Sequence, residues 1–459
     1  MIIPRLVIAD ERRNDSIPPG ILLVAALKSA GRPLRIFCAD PDEYLVRLVS
    51  LAAGEPVTIL DSFTCGSPRI LKTLFQVSCD PGCLNVILAP LGERRDDDSF
   101  TVFTQGPSLA KLLECPILPV IYSDSSSAVI AGLLEKAVSG IAEREEVSVP
   151  GVIFSSVLNP REFQLLEIEA GRRTPLLSLG YIPKTLERKR TSLLELCLDS
   201  SAEKAALPLK SAAAQLASME GQIDWNALWG FARLSAKWSK VEEPHRDRAK
   251  GHTMGVMAHG ALDLEGDNAS RLFSYLGFNV RKIYPGEAGR PSDLYGLYIP
   301  HGLGFLCAEH LLGIPSARTW FSRIFDSGVP VFVNGGISLL LGESFVLPNG
   351  KSYEGMGLFR YRGQYTMPSS DFTKVEISSF EGDDVLNLGE KLRGRRVSYT
   401  SVHNPGERSR SIWTLKDAKT GRDLGLSGWS RARGVATDLC VDIWSNMEAV
   451  YRWLVHRKA

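Results

Sequence analysis

The chain has 459 residues, 53 of them Lys or Arg against 52 Asp or Glu, for a formal net charge of +1. That length implies two or three domains of ~150 residues, and the charge balance argues against nucleic acid or an anionic membrane as partner. The 44% hydrophobic and 23% charged composition is globular rather than disordered; no apolar run reaches a ~18-residue membrane span, and MIIPRLVIADERR is too weakly apolar for a signal peptide, so a cytoplasmic location is expected.

The first 125 residues alternate short apolar runs with helical patterns, the pattern of a parallel sheet wrapped by helices. RLVIA (Arg5 to Ala9) reads as a buried strand, Gly20 to Gly31 as a helix, and LRIFCAD (Leu34 to Asp40) as the next strand. LNVILAP, ILPVIYSD and VPGVIFSSV continue the strands, with SAVIAGLLEKAVSGI a helix between the last two, and LLSLGYIP enters a loop. Residues 236–252 are polar and lack an apolar period, so a linker is expected at 241–252. The rhythm then restarts with TMGVMAH, ASRLFSYLGF, NVRKIYP and LYGLYIPHG. PVFVNGGISLLL reads as a strand, a tight turn and an apolar helix start. The last hundred residues look β-rich and end in the helix NMEAVYRWLVHRK.

Eight cysteines in a chain of this length are too sparse for a disulfide framework. Reduced thiols are expected. The close pair Cys79 and Cys83 in CDPGC lacks a second pair to complete a zinc-like set, although a metal site in the first half, where five of the eight cysteines lie before residue 120, stays open.

Ligands of doubly wound sheets sit beyond the carboxyl ends of the strands. After RLVIA a nucleotide site would need glycines and a lysine. This chain has DERRNDSIPPG, whose acids repel phosphate and whose Arg12 and Arg13 are the remaining candidate anion ligands. The turn in VFVNGGISLL has the strand–turn–helix order of a nucleophile elbow. Asn334 at its tip tolerates positive φ but its amide is no nucleophile, and Ser338 lies one turn on. GVATDLCVDIWSN reads as a strand with Cys440 and Asp442 on one face. Of the seven histidines, His301 in IPHGLG is the one at a strand's carboxyl end, so a Cys440–His301 dyad and a buried inert thiol are the two readings of that cysteine.

Taken in order, DPDEYLVRLVSLAAGEPVTILDSF, GVIFSSVLNPREFQLLE with LGYIP, PVFVNGGISLLL and SGWSRARGVATDLCVDIWSNMEA resemble segments of the cobyrinic acid a,c-diamide synthase family, two-domain glutamine amidotransferases acting on tetrapyrrole carboxylates. The resemblance implies an α/β chain. A degenerate P-loop, dethiobiotin-synthetase-like parallel sheet domain would span 1–240 and bind nucleotide and tetrapyrrole. A class I glutamine amidotransferase-like, flavodoxin-like domain would span 253–459. It also implies ATP- and magnesium-dependent carboxylate phosphorylation in the first domain and glutamine hydrolysis by a Cys–His pair in the second. Matched position by position, the phosphate-loop lysine has no counterpart, Ala89 stands where an acidic residue would be, Asn334 replaces the elbow cysteine and Cys440 the histidine. Asp42 and Asp61 match the tetrapyrrole-side motif and, with His301, are the substrate-binding candidates.

Removing nucleophile and base together deletes the covalent route. The expectation is therefore a catalytically silent homologue. It would bind a tetrapyrrole or a partner protein in the cleft between domains, with Trp413, Trp429, Arg431, Arg433 and Trp444 either facing a carboxylate-rich ligand or serving as ordinary core and surface. The alternative is an ATP-dependent ligase using free ammonia or another subunit's, with Arg12 and Arg13 replacing the lysine; only then are ATP and Mg expected. A homodimer or a complex with an active paralogue is a further expectation.

Overall fold

The computed structural model describes residues 2–13, 15–39, 41–94, 100–238, 248–284, 293–313, 315–403 and 411–455. Its first sheet comprises β1 (Arg5–Glu11), β2 (Leu34–Cys38), β3 (Thr58–Ile59), β4 (Leu84–Arg94), β5 (Phe100–Val102), β6 (Ile117–Tyr122), β7 (Gly151–Val157) and β8 (Leu177–Pro183). They are ordered β3-β2-β4-β1-β6-β7-β8 in parallel, with β5 antiparallel to β4. Unbroken apolar runs such as LVIA and VIL make strands that helices cover on both faces, and every residue of β1 is buried. Two helices position the sites below. α1 (Pro19–Ser29) starts on a proline, which needs no N–H bond at that position. α2 (Glu43–Ala53) is capped by Asp42, whose side chain accepts the Tyr44 N–H.

The second half begins with β9 (Thr253–Met257), β10 (Asn279–Ile283), β11 (Gly296–Ile299) and β12 (Val331–Val333). It continues through β13 (Ser344–Val346), β14 (Ser352–Glu354), β15 (Arg362–Tyr365), β16 (Phe372–Ser379), β17 (Lys391–Val397) and β18 (Thr400–His403). The last strands are β19 (Ser411–Asp417), β20 (Asp423–Arg431), β21 (Gly434–Ala436) and β22 (Cys440–Asp442). A ten-stranded sheet runs β10-β9-β11-β12-β21-β20-β19-β16-β17-β22, parallel from β10 to β21 and antiparallel beyond. β14-β13-β15-β18 form a small sheet beside it. The closing helix covers Met447–Val455.

The two halves share one core. Val7, Phe37 and Phe75 of the first belong to the same apolar cluster as Tyr298, Phe332, Trp413 and Trp444 of the second. Polar ties cross too. Arg35 bonds Asp267 at 2.6 Å, and Asn268 brackets Ile59 through both its N–H and its carbonyl. Most of the expected linker (residues 241–247) lies outside the described residues, but Ala249 at its far end is buried.

Two local expectations are corrected. GVATDLCVDIWSN is not one strand: β21 pairs with β12 and β20, whereas β22 pairs with β17 at the sheet's other end. A three-residue break, Thr437–Leu439, redirects the chain between them, so period-two alternation does not run through. The elbow is followed not by an α-helix but by a 3-10 segment, Gly335–Leu341, all of it buried. Two consecutive glycines disfavour an α-helical start.

Candidate functional site

At the carboxyl end of β1, beside the helix N-terminus where a doubly wound sheet would hold phosphate, the chain has supplied its own anion. Asp10 Oδ2 accepts the Gly20 N–H at 2.9 Å, in the first turn of α1, and a Cβ on Gly20 would sit 2.7 Å from that oxygen. A carboxylate there satisfies the same N–H and positive dipole end that a phosphate would. Arg12 pairs with Asp10 at 2.9 Å, and Arg13 pairs with Asp124 at 2.5 Å and lies 3.7 Å over the Tyr122 ring. The two candidate anion ligands are thus committed to carboxylates within the protein.

The second position is the elbow after β12. Asn334 is fully buried in extended conformation, φ −100°, and it is Gly335 that takes the left-handed φ of +68°. The expected tolerance of Asn for positive φ is therefore not what places it there. Its amide instead ties three strands' ends together. Nδ2 lies within hydrogen-bond distance of Glu265 (2.7 Å), the Tyr298 hydroxyl (2.9 Å) and the Val441 carbonyl (3.0 Å), which share its two N–H donors, and Oδ1 accepts the Val441 N–H at 2.8 Å. The void lined by Glu265, Tyr298, Cys440 and Val441 is about 30 Å³, room for a water or two.

His301, at the end of β11, is also fully buried. Its Nδ1 accepts the Gly336 N–H at 3.3 Å, which leaves Nε2 to carry the proton given to Glu43 Oε1 at 2.8 Å. Glu43 comes from α2 in the first half; its other oxygen accepts the Tyr399 hydroxyl at 2.6 Å. Burial opposes the Glu43 charge, but the interaction with His301, the Arg395 charge and the Tyr399 hydroxyl outweigh it, and the carboxyl titrates below its ordinary range. Arg395, nearly fully buried, donates to the Pro41 carbonyl and to Cys440 Sγ (3.3 Å).

The contacts of Cys440 and His301 are thus separate: the thiol meets Arg395 and the imidazole meets Glu43 and Tyr399. Burial, partly offset by Arg395, pushes the Cys440 thiol up to about 12, which disfavours the thiolate. A different thiol does meet an imidazole. Cys307 Sγ lies 3.3 Å from His259 Nδ1, which also accepts the Ala261 N–H. Burial raises that thiol as well, and the like charge of Asp199 adds to the effect, the opposite of nucleophile activation. Glu43, Tyr399, Arg395 and Glu265 were not legible as site residues. Their partners lie 36 to 356 positions away in sequence, and no local spacing encodes such pairs.

Asp42, besides capping α2, bonds Arg190 at 3.1 Å, and Asp61 is buried, accepting the Phe63 N–H and Lys374. The aromatic and basic set assigned by the sequence either to a ligand or to ordinary packing serves packing. Trp413, Trp429 and Trp444 are buried, with the indole N–H of Trp413 given to Asp383 and that of Trp444 to the Asn268 carbonyl. Arg431 pairs with Asp326, and Arg433 donates to the Trp453 carbonyl. What lies open between the halves is a cleft of about 540 Å³, walled by Asp42, Glu43, Tyr44 and Arg190 on one side and by Ser369, Asp371, Phe372 and Arg395 on the other. That volume is in the range of small-molecule sites. Among the described residues no cluster of three or more His, Cys, Asp or Glu suits a metal ion, and no helix is long and apolar enough to cross a membrane.

No family model matches the chain. It is 25% identical over 417 residues to the cobyrinate a,c-diamide synthase of Thermoplasma volcanium, spanning 88% of this chain and 87% of that protein. With the Listeria monocytogenes cobyrinate a,c-diamide synthase it shares 25% over 439 residues, 93% of each. A solved glutamine amidotransferase, 12% identical, covers 44% of this chain and 96% of its own at a TM-score of 0.32. Alignment through both halves, at one quarter identity, makes the chain a distant, near full-length homologue of the cobyrinate a,c-diamide synthases.

Proposed function

We propose that this protein is a catalytically silent homologue of those synthases that binds a tetrapyrrole-type ligand in the cleft between its two halves. The observation that carries the silence is the elbow. The residue at its tip is a fully buried amide with both its hydrogen-bonding atoms engaged. Acyl transfer needs a thiolate or alkoxide next to a base and a cavity for the acyl group. The loop after β1 supports the same reading, because Asp10 takes the helix-end position an anionic nucleotide would need, and a second anion there would meet its charge. Arg12 and Arg13 would have to abandon Asp10 and Asp124 to serve ATP, which disfavours the ammonia-using ligase. The ligand half of the proposal rests on the open cleft and on the substrate class in the relatives' name.

The test is a titration of the full-length protein with corrinoid, sirohaem and haem, read by absorbance and thermal shift, alongside ATP–Mg and glutamine. A spectral shift or stabilisation by a tetrapyrrole is expected, with no stabilisation by ATP–Mg and no ammonia released from glutamine. Indifference to all three tetrapyrroles would overturn the ligand assignment. Glutamine-derived ammonia or nucleotide stabilisation would overturn the silence.

A further inference from the structure

We infer that the cleft takes a ligand whose side groups are amides or hydroxyls and rejects the corresponding free carboxylic acid. The inference deepens the reading of the cleft as a ligand site and depends on it. It starts from the charges that line the cleft: three carboxylates, Asp42, Glu43 and Asp371, face two arginines, Arg190 and Arg395. Neither arginine is at liberty. Arg190 bonds Asp42 at 3.1 Å and lies 4.2 Å over the Tyr44 ring. Arg395 is committed to the Pro41 carbonyl and Cys440, and its charge is set against that of Glu43. Asp371 is the surplus. It is exposed and accepts the Ser369 hydroxyl at 3.1 Å, and among the described residues no cation pairs with it.

The uncharged groups can serve an amide without any charge. Ser369 and Ser370 line the outer wall, and the Thr191 hydroxyl is a buried atom with no hydrogen-bond partner, on the stretch that follows Arg190 into the cleft. A carboxylate entering here would lose water, meet a like charge and find each arginine already taken. An amide brings N–H donors for Asp371 and a carbonyl for the Thr191 hydroxyl, with no charge to desolvate. Pro41, Leu193, Phe372 and Val397 supply apolar wall for the body of such a ligand. Discrimination therefore comes from repulsion built against the acid as much as from attraction to the amide.

Two corrinoid probes separate the cases: dicyanocobyrinic acid, with free carboxyl side chains, and dicyanocobinamide, with amides. Titrated into the full-length protein at low salt, the amide should bind at least tenfold more tightly. The gap should narrow with added salt and about threefold in Asp371→Asn, an exposed isosteric change that leaves the fold intact. Equal affinity, preference for the acid, or a gap that Asp371→Asn leaves unchanged overturns the inference while the cleft remains a ligand site. Binding of neither probe removes the ligand site itself, and this inference with it.

Discussion

Asn334 shows how much a single residue at an elbow decides. An amide is close in volume to a thiol or hydroxyl residue but not in bonding, because it offers donors and an acceptor together. The surrounding groups have settled around both: Glu265, Tyr298 and both backbone groups of Val441 are its partners. Asn334→Cys is therefore not expected to produce a glutaminase. It should release no ammonia from glutamine, and it should cost about 3 kcal/mol by leaving several buried polar groups unpaired. Chemical denaturation and a coupled ammonia assay read the two outcomes, and a variant as stable as the parent would contradict the account. The identity of residue 334 is plain in the sequence; the buried hydrogen bonds its amide makes are not.

At the scale of elements, the turn after β12 is held by close approach rather than by helix formation. Gly335, at φ +68°, passes so near the imidazole that a Cβ would fall 1.8 Å from His301 Nδ1. Gly335→Ala thus faces both a strained backbone and a clash with a buried ring whose bonds to Gly336 and Glu43 hold it in place. The expected loss exceeds about 4 kcal/mol and shows as a lowered melting temperature or insoluble protein; a melting temperature near the parent's would mean that the ring can move aside. The Asn-Gly-Gly turn was readable from composition. Its continuation as a 3-10 segment was not, because apolar GISLLL suits a buried helix equally well, and the two glycines that disfavour an α-helical start do not by themselves select the tighter form. In the same way VATDLCVD alternates like one strand, and only the pairing of β21 with β12 and of β22 with β17 divides it.

Across the whole molecule, Glu43 joins the halves by placing a first-half carboxylate between His301 and Tyr399 of the second. Its folded-state titration lies below the ordinary carboxyl range. The ionised form therefore stabilises the fold at pH values above that range, and the contribution disappears as pH falls through the lowered value. Glu43→Gln should lose about 3 kcal/mol near neutral pH, and the difference from the parent should shrink steadily in acid. Glu265, Asp438 and Asp442, which burial shifts upward, act in the opposite sense but are common to both proteins and cancel in the difference. Denaturation of the pair at several pH values measures it; a gap independent of pH would mean that Glu43 braces the halves by shape alone.

By itself the sequence determined the α/β class, most strands of the first half, the distant kinship, and the residues that stand after β1 and at the elbow: no lysine in DERRNDSIPPG and an asparagine at 334. Each of these is carried by residue identity, short-range periodicity or collinear order, all of which survive without knowledge of contacts. Only the tertiary structure decided how these positions are bonded: Asp10 at the start of α1, the Asn334 amide among three strands, and Glu43 reaching 258 positions to His301. It also decided that Trp413, Trp429 and Trp444 are core and that the cleft carries more carboxylates than arginines. Burial and pairing between residues distant in sequence are properties of the folded chain, set by which faces meet when two sheets close on a common core.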